Sequence, residues 1–326
     1  MLRMPAFEVH KPRTAHDAVL LRATLPDSLF VAGGTDLLPN LKHWLHQPKH
    51  LVSLLDLPEL RGITREADGT LHLGAAVTLH EMATSPLLAE IPALPLAASL
   101  VAGPQHRRMG TIGGNVMLDT RCLFYNQSEE WRKAVGYCLK KDGDWCHVIG
   151  SGKSCVAAQS SDTVPVLLGL GARIRYVTSE GPAEVAIVDL YEKDGRIDRA
   201  RNIPPSALVT GIAIPPRASG HRSTYRKVRT RAAVDYPQLS IAVITSFDGS
   251  ILTDLSVVVG ALLPQPKIVD LDGMTGVALD DAAIAAIAER VFKQVKPQTN
   301  LHGAPEWRRH LARVETARAL AQLRAL

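Results

Sequence analysis

The chain has 326 residues, 46% apolar and 21% charged, which is enough for two or three compact units with sizeable cores. Its formal net charge is +5, but the basic residues are scattered and only 5% of residues are aromatic, which argues against nucleic-acid binding. No stretch approaches the roughly 20 apolar residues of a membrane helix, and residues 1–7 lack an apolar signal core, so we expect a cytoplasmic protein with neither nucleic acid nor membrane as a partner.

Near the N-terminus, a strand leads through a glycine pair into a helix. A hydroxyl and an acid at Thr14 and Asp17 predict a helix that runs to about Thr24. Residues 29–32 then form an apolar run typical of a buried strand, and the glycine pair at 33–34 precedes a second helix. Such a turn can direct backbone N–H groups toward a phosphate. An ordinary left-handed turn is the alternative, and this segment alone favours it.

The rest of the chain predicts mixed helices and strands, that is, an α+β protein. Strands are expected at 51–55, 63–66, 71–75, 173–177, 207–214, 224–229, 240–247 and 251–261, and helices at 78–81 onward, 92–102, 162–170, 280–295 and 305–323. In the last helix, apolar residues that recur every three or four positions predict one buried face and leave three arginines to solvent. The apolar residues are Trp307, Leu311, Val314, Ala317 and Ala321, and the arginines are Arg308, Arg309 and Arg313.

All four cysteines lie between a second glycine pair and residue 162. They are Cys122, Cys138, Cys146 and Cys155, with the spacing C-x15-C-x7-C-x8-C. In a reducing compartment, metal ligation is a better explanation for them than disulfides. Their segment has no clear apolar period, so bound metal could supply the folding free energy that its packing lacks. Wide spacing favours an iron–sulfur cluster over zinc, which usually takes closely paired cysteines, and leaves zinc and unliganded cysteines as alternatives.

Common nucleotide and hydrolase motifs are missing from the sequence. Gly152–Ser154 resembles the end of a phosphate-binding loop, but the earlier glycine that such a loop needs is replaced by His147. The pair at Gly169 and Gly171 closes a predicted helix and has no third glycine, so it does not indicate a dinucleotide site. We therefore expect neither a Rossmann enzyme nor a hydrolase.

Six short motifs in order resemble the FAD-binding medium subunits of the xanthine dehydrogenase family of molybdenum hydroxylases. They are residues 31–37, 60–63, 74–78, 111–115, 161–165 and 225–229. The resemblance runs from about Pro5 to the C-terminal helix. It implies a two-subdomain FAD-binding fold of the vanillyl-alcohol-oxidase (PCMH-like) type over residues 1–216. A C-terminal α+β domain of antiparallel sheet plus helices would follow over residues 217–326.

The resemblance also implies the flavin-binding residues. In that family two glycine loops clamp the FAD pyrophosphate, and the matching residues are Ala32, Gly33, Gly34, Thr35 and Asp36 in the first loop and Thr111, Ile112, Gly113, Gly114 and Asn115 in the second. Apolar positions that line the cofactor match Phe30, Val31, Leu37 and Val101. Asp162 matches an aspartate near the sugar or ribityl chain, and Lys227 matches a lysine whose cation offsets negative charge on the flavin.

Residues 119–157 look like an insertion relative to most of that family. A similar insertion in the beta subunits of 4-hydroxybenzoyl-CoA reductases binds a [4Fe–4S] cluster, which implies such a cluster on Cys122, Cys138, Cys146 and Cys155. The implied electron path runs from a ferredoxin through this cluster and FAD to a small subunit with two [2Fe–2S] clusters. A large molybdenum subunit would then reduce 4-hydroxybenzoyl-CoA to benzoyl-CoA in anaerobic aromatic degradation. The family assembly implied is a dimer of heterotrimers.

Two other hypotheses remain open at this point. A related insertion occurs in some bacterial aldehyde oxidoreductases, so the chain could serve an aldehyde or purine hydroxylase with electrons flowing outward from molybdenum. The third hypothesis is a zinc-stabilised binding module without a redox role.

Overall fold

The computed structural model describes residues 3–197 and 199–326, which form thirteen strands and eleven α-helices. The strands are β1 (Glu8–His10), β2 (Ser28–Val31), β3 (His50–Ser53), β4 (Ile63–Arg65), β5 (Leu71–Gly74), β6 (Arg173–Thr178), β7 (Gly181–Ala186), β8 (Leu208–Ile214), β9 (His221–Val228), β10 (Leu239–Asp248), β11 (Ile251–Gly260), β12 (Lys267–Ile268) and β13 (Val277–Ala278). The helices are α1 (Ala15–Thr24), α2 (Leu37–Lys42), α3 (Leu79–Thr84), α4 (Ala93–Ser99), α5 (Pro104–Met109), α6 (Ile112–Val116), α7 (Glu129–Ala134), α8 (Thr163–Gly169), α9 (Ile187–Leu190), α10 (Asp281–Gln294) and α11 (Pro305–Arg324). The prediction about the extreme N-terminus falls partly on Met1 and Leu2, which lie outside the described residues. Among the described helices, none has the length and apolar character needed to cross a membrane.

A small parallel sheet forms the N-terminal part, with strand order β1-β3-β2. Helix α1 buries Ala15, Ala18 and Val19 against it, and the Thr14 side chain accepts a hydrogen bond from the Asp17 N–H at 3.0 Å. The predicted helix start is therefore confirmed, because the hydroxyl satisfies an N–H group that has no partner within the helix.

An antiparallel sheet with strand order β4-β5-β8-β6-β7 forms the second part. The predicted hairpin is present, with Ile63 opposite Leu73. Helices α3, α4, α6 and α8 contribute to the core beside this sheet. Strand β7 was not predicted, because its sequence is mostly exposed and carries glycine and proline at its start, which gives no alternating apolar pattern.

The C-terminal part is an antiparallel sheet with order β12-β11-β10-β9, and β13 pairs with β11. Strands β10 and β11 form the long predicted hairpin, and nine of the ten residues of β10 are buried. Both of its faces are covered, since the core formed with α10 and α11 lies on one face and α8 and α4 pack on the other. The α+β class and the C-terminal sheet with helices are therefore confirmed.

The predicted buried face of α11 is confirmed only in part, since Leu311, Ala317 and Ala321 pack against the core but its first turn differs. Trp307 is 45% exposed, whereas Arg308 is fully buried together with Ala312 and Leu320. The Arg308 guanidinium donates hydrogen bonds to backbone carbonyls, including that of Gln238 at 2.8 Å. A charged side chain can be buried when its donors are satisfied, and this contact turns the helix away from the face that apolar spacing predicts.

Candidate functional site

A cavity of about 640 Å³ opens where the parallel sheet, the antiparallel sheet and a loop of the C-terminal part meet. Its size falls within the range of small-molecule sites. Among the residues predicted to bind a cofactor, the cavity is lined by Phe30, Val31, Ala32, Gly33, Gly34, Thr35, Asp36, Leu37, Val101, Thr111, Gly113, Gly114, Asn115 and Asp162. Ile112 and Lys227 are not among the lining residues. The sequence therefore identified two distant glycine loops that the fold brings to one cavity.

The first glycine loop connects β2 to α2. Gly34 has a φ of +69°, which favours glycine because it lacks a Cβ. At Gly33 the reason is packing, since an added Cβ would lie 1.8 Å from the backbone oxygen of Met109. Gly33 thus allows the first loop to contact the segment just before the second loop, and the two sides of the cavity mouth come together there.

The second glycine loop forms the start of α6. The Thr111 hydroxyl caps this helix by accepting a hydrogen bond from the Gly114 N–H at 3.2 Å. The Gly113 N–H donates to the Ala75 carbonyl at 2.9 Å, and Ile112 is fully buried in the core. These contacts fix the loop, and they explain why Ile112 does not reach the cavity.

Asn115 connects the second loop to the start of α8. Its side-chain oxygen accepts hydrogen bonds from the hydroxyls of Ser161 at 2.6 Å and Thr163 at 2.7 Å. The motif after the cysteines is therefore held directly against the motif before them. Residues 46 and 48 positions apart in the chain become neighbours, and Asp162 is placed in the cavity wall between them.

Asp162 is 3% exposed and belongs to a buried charged pair. It accepts hydrogen bonds from the Tyr225 hydroxyl at 2.6 Å and from the Lys227 ammonium at 2.7 Å. Burial raises the pKa of Asp162 above its usual range, and Lys227 offsets part of that effect. Lys227 also donates to the Leu100 carbonyl at 3.0 Å. Lys227 therefore contacts the Asp162 carboxylate but does not line the cavity itself.

A polar cluster that the sequence did not reveal joins three distant segments at the cavity. The Asp36 carboxylate accepts hydrogen bonds from Arg121 at 3.1 Å and from the Tyr236 hydroxyl at 3.0 Å. The Arg121 guanidinium also lies 3.8 Å from the centre of the Tyr236 ring, within cation–π range. All three residues line the cavity. Neither Arg121 nor Tyr236 falls in a recognisable motif, so only the fold identifies them.

The cysteine segment, residues 119–157, begins and ends at neighbouring positions in the fold. Arg121 and Ala158 exchange backbone hydrogen bonds of 2.8 and 2.7 Å. Between them, the chain forms α7 and several isolated bridges. All four cysteines are buried and line one small pocket with Phe124, Leu139, Lys140, His147, Val148 and Ala157. The fold thus brings together the four predicted ligands.

The four sulfurs of this pocket are spaced more widely than the ligands of a single tetrahedral zinc ion. Four thiolates around zinc at Zn–S bonds of about 2.3 Å would lie about 3.8 Å apart. Among the described residues, which include all four cysteines, no three of the sulfurs lie within 4.8 Å of one another. Burial raises the pKa of Cys122 to about 12 and that of Cys155 to about 11. A bound cationic metal centre would favour the thiolate forms.

Lys140 places a positive charge between the two pockets. Its side chain is 1% exposed, and its ammonium donates hydrogen bonds to Asp119 at 2.8 Å, Thr120 at 2.7 Å and the Gly195 carbonyl at 2.7 Å. Lys140 lines the cysteine pocket, whereas Asp119 lines the large cavity. The pair is therefore a fixed dipole with its positive end toward the sulfurs. Despite burial, the Lys140 charge holds the pKa of Asp119 below its usual value.

A buried leucine of the large cavity belongs to the same apolar cluster as three of the cysteines. Leu45 is 1% exposed, lines the large cavity and packs in the same cluster as Cys122, Cys138 and Cys155. The two pockets therefore lie in neighbouring parts of the fold.

Two protein families match consecutive parts of the chain. Residues 5–217 match the FAD binding domain in molybdopterin dehydrogenase. Residues 223–323 match the CO dehydrogenase flavoprotein C-terminal domain. Both glycine loops and the cysteine segment fall within the first match, and the C-terminal sheet lies within the second apart from the first residues of β9.

Known proteins and a solved structure resemble this chain over most of their length. The carbon monoxide dehydrogenase medium chain of Afipia carboxidovorans is 29% identical over 327 residues, which cover 98% of this chain and 97% of that protein. The aldehyde oxidoreductase FAD-binding subunit PaoB of Escherichia coli K12 is 30% identical over 256 residues, or 76% of this chain and 80% of that protein. A chain in the crystal structure of the cyanide-inactivated Cu,Mo-CO dehydrogenase has a TM-score of 0.80 and 28% identity, with 99% of both chains covered. The similarity therefore includes the large cavity and both glycine loops.

Proposed function

The chain belongs to the FAD-binding medium subunits of the xanthine dehydrogenase and CO dehydrogenase family of molybdenum hydroxylases, and we propose that it transfers electrons by means of FAD in the large cavity and one [4Fe–4S] cluster on the four cysteines. Membership in this family removes the hypothesis of a binding module without a redox role. The observation that carries the proposal is the adjacency of the two pockets, which are joined by the ion pair between Lys140 of the cysteine pocket and Asp119 of the large cavity.

The large cavity supports the FAD assignment through the residues that line it. Both glycine loops reach it from opposite sides, and Gly33 lets them approach closely. We assign the phosphate contacts to residues 32–36 and 111–115, and apolar contacts to Phe30, Val31, Leu37 and Val101. Asp162 would bind the sugar or ribityl part. Lys227 would act through Asp162, since it lies outside the lining of the cavity.

The cysteine pocket supports the cluster assignment because it contains four thiol groups that are buried from solvent. Cys122, Cys138, Cys146 and Cys155 are each at most 8% exposed, and the spread of their sulfurs exceeds that of a single tetrahedral ion. When bound, FAD exchanges electrons singly or in pairs and the cluster exchanges them singly, so together they supply the redox chemistry. The protein holds the two sites close together, buries the four cysteines and keeps the Lys140 charge beside the sulfurs.

The family context supports the proposed partners. We propose a small subunit with two [2Fe–2S] clusters and a large subunit with the molybdenum cofactor, assembled as a dimer of heterotrimers, with a ferredoxin as electron donor. The four free, buried cysteines suit a reducing compartment, which favours the cytoplasm.

Two substrate assignments have support of different kinds. The cysteine segment resembles that of 4-hydroxybenzoyl-CoA reductases and favours reductive dehydroxylation of 4-hydroxybenzoyl-CoA on the large subunit. The similarity to an aldehyde oxidoreductase FAD-binding subunit favours an aldehyde or purine hydroxylase with outward electron flow. Turnover by the complex that copurifies with this chain distinguishes them. Activity with 4-hydroxybenzoyl-CoA and a low-potential donor supports the first, and oxidation of aldehydes or purines without that activity supports the second.

The cofactors are tested on the purified chain by its visible spectrum, its iron and zinc content, and the flavin released on denaturation. We expect flavin together with about four iron atoms per chain. In Cys138→Ser we expect loss of iron with flavin largely retained, because Cys138 lines the cysteine pocket and not the large cavity. Ser154→Ala, next to Cys155, is the matched control and should keep both. A colourless, zinc-containing chain without flavin would refute the proposal.

A further inference from the structure

Three metal-binding side chains meet at the parallel sheet, away from both pockets. The donor atoms are a carboxylate oxygen of Glu8, Nε2 of His10 and Nδ1 of His50. His10 and His50 are 3.1 Å apart at these nitrogens, and the Glu8 oxygen lies 3.6 Å from His50 and 4.0 Å from His10. Neither the flavin site nor the cysteine pocket uses these residues.

The strand register produces this convergence. Glu8 lies directly opposite His50 in the parallel pairing of β1 with β3. His10 is two residues beyond Glu8, so its side chain projects from the same face of the sheet. The sequence Glu-x-His on one strand and His on its neighbour therefore presents three donors to one point. The arrangement depends on regular strand geometry and not on a flexible loop.

We propose that Glu8, His10 and His50 form a binding site for a divalent transition-metal ion of the zinc type. Ligands at about 2.0–2.1 Å around a tetrahedral ion lie about 3.4 Å apart, and the three observed separations bracket this value. The two histidines are half-buried and fixed, while Glu8 is exposed and can rotate inward. A bound ion would replace the hydrogen bond between the two facing ring nitrogens, and each neutral ring would carry its proton on its other nitrogen.

The site would act as a staple for the N-terminal strand, with its fourth position open to water. Strand β1 has only three residues and pairs only with β3 among the described strands, at the edge of the sheet. Two of the ligands come from β1 and one from β3, so the ion would link the two strands. Such a site binds the folded state and not the separated strands, and metal would therefore raise the unfolding temperature.

The test uses the full chain with its flavin and iron bound, treated with EDTA to remove loosely held metal. Zinc is then titrated by calorimetry, and the bound zinc is characterised by X-ray absorption. We expect one zinc per chain, with nitrogen and oxygen ligands at about 2.0–2.1 Å and no sulfur shell at about 2.3 Å. Thermal unfolding should shift upward with zinc.

Substitutions locate the site. His50→Ala should weaken zinc binding by more than the roughly 10- to 100-fold expected when a hydrogen-bond partner of a ligand is lost, and should abolish the thermal shift. Glu8→Gln tests the carboxylate with little risk to folding, since Glu8 is 75% exposed. His16→Ala, which removes an exposed histidine in α1, is the control and should bind zinc normally. Equal zinc binding by His50→Ala and the unsubstituted chain, a sulfur shell, or no stoichiometric binding would each overturn the proposal. None of these results bears on the flavin or the cluster.

Discussion

Gly33 lies where two backbone segments meet at the mouth of the flavin cavity. The sequence marked it as part of a phosphate-binding turn, but the structure gives it a second role. Its missing Cβ leaves room for the Met109 carbonyl, which would otherwise be 1.8 Å away. Since backbone cannot move aside as a side-chain tip can, this position is strictly limited to glycine.

We therefore expect Gly33→Ala to lose most of its flavin and to be destabilised by about 1–3 kcal/mol, the usual cost of overpacking. The measurement is the flavin-to-protein ratio after gel filtration, together with urea unfolding. Gly103→Ala is a suitable control, because its new Cβ would make only ordinary contacts at 3.4 Å or more and it does not line the cavity. Normal flavin content in Gly33→Ala would contradict the role given to this residue.

Lys140 is the second residue whose importance appears only in the structure. The sequence placed it near Cys138 but gave no reason to single it out. In the fold its ammonium is buried beside the sulfurs and paired with Asp119 on the flavin side. A fixed positive charge in a partly dry site stabilises the reduced, more negative form of a nearby redox centre.

If the proposed cluster is bound, Lys140→Met should therefore lower its midpoint potential, by an amount on the order of tens of millivolts. It would also leave Asp119 unpaired, at a cost of up to about 3 kcal/mol. The double variant Lys140→Met with Asp119→Asn should recover most of the stability, because it removes the unpaired charge. A redox titration followed by electron paramagnetic resonance measures the potential. An unchanged potential in both variants would show that the Lys140 charge does not influence the cluster.

At the scale of elements, capping residues predicted helices better than apolar spacing did. The Thr78–Glu81 capping box and the Thr14 cap begin α3 and α1 where expected. The buried face of α11 was mispredicted in part, because Arg308 is buried and Trp307 is exposed. Its donors contact the carbonyls of Gln238 and Gln298 at 2.8 Å and that of Ala261. An arginine can be buried only where carbonyl groups from distant parts of the chain accept its hydrogen bonds. The spacing of apolar residues within the helix therefore cannot predict that Arg308 is buried.

Arg308→Met should destabilise the chain by about 3 kcal/mol or more, because it leaves three backbone carbonyls without these donors. The measurement is the midpoint and slope of unfolding in urea. Arg318→Met in the same helix is the control, since its side chain is 61% exposed and its ion pair with Glu315 is expected to contribute little. If the two variants had equal stability, the buried hydrogen bonds would not matter for folding.

At the scale of the whole molecule, local motifs predicted many of the residues that line the large cavity but not the contacts that join its walls. The loops at 33–36 and 111–115 carry short-range signals of glycine and helix capping. The Asp36, Arg121 and Tyr236 cluster combines residues up to 200 positions apart. No local pattern marks such contacts, and a single sequence cannot reveal them. The glycine loops were predictable because short sequence motifs specify their backbone conformation. Arg121 and Tyr236 were not, because only the tertiary fold brings them to Asp36.

The cysteine segment should be removable without loss of the flavin site. Arg121 and Ala158 exchange both backbone hydrogen bonds, a geometry that a two-residue Asn-Gly turn can close. We expect a variant in which Asn-Gly replaces residues 122–157, combined with Asp119→Asn because Lys140 is gone, to bind flavin but no iron. Flavin and iron content after gel filtration measure this. A variant that folds but holds no flavin would show that the segment is required for the flavin site.

The paired ends of the cysteine segment also bear on how the protein could have arisen. A stretch whose two ends are hydrogen-bonded neighbours can enter or leave a gene with little change in the positions of the two chain ends that it joins. A flavoprotein ancestor could therefore have gained this segment in one step while its existing cofactor site stayed functional. On this view the segment's descent can differ from that of its scaffold, and overall sequence similarity would then trace the history of the scaffold only.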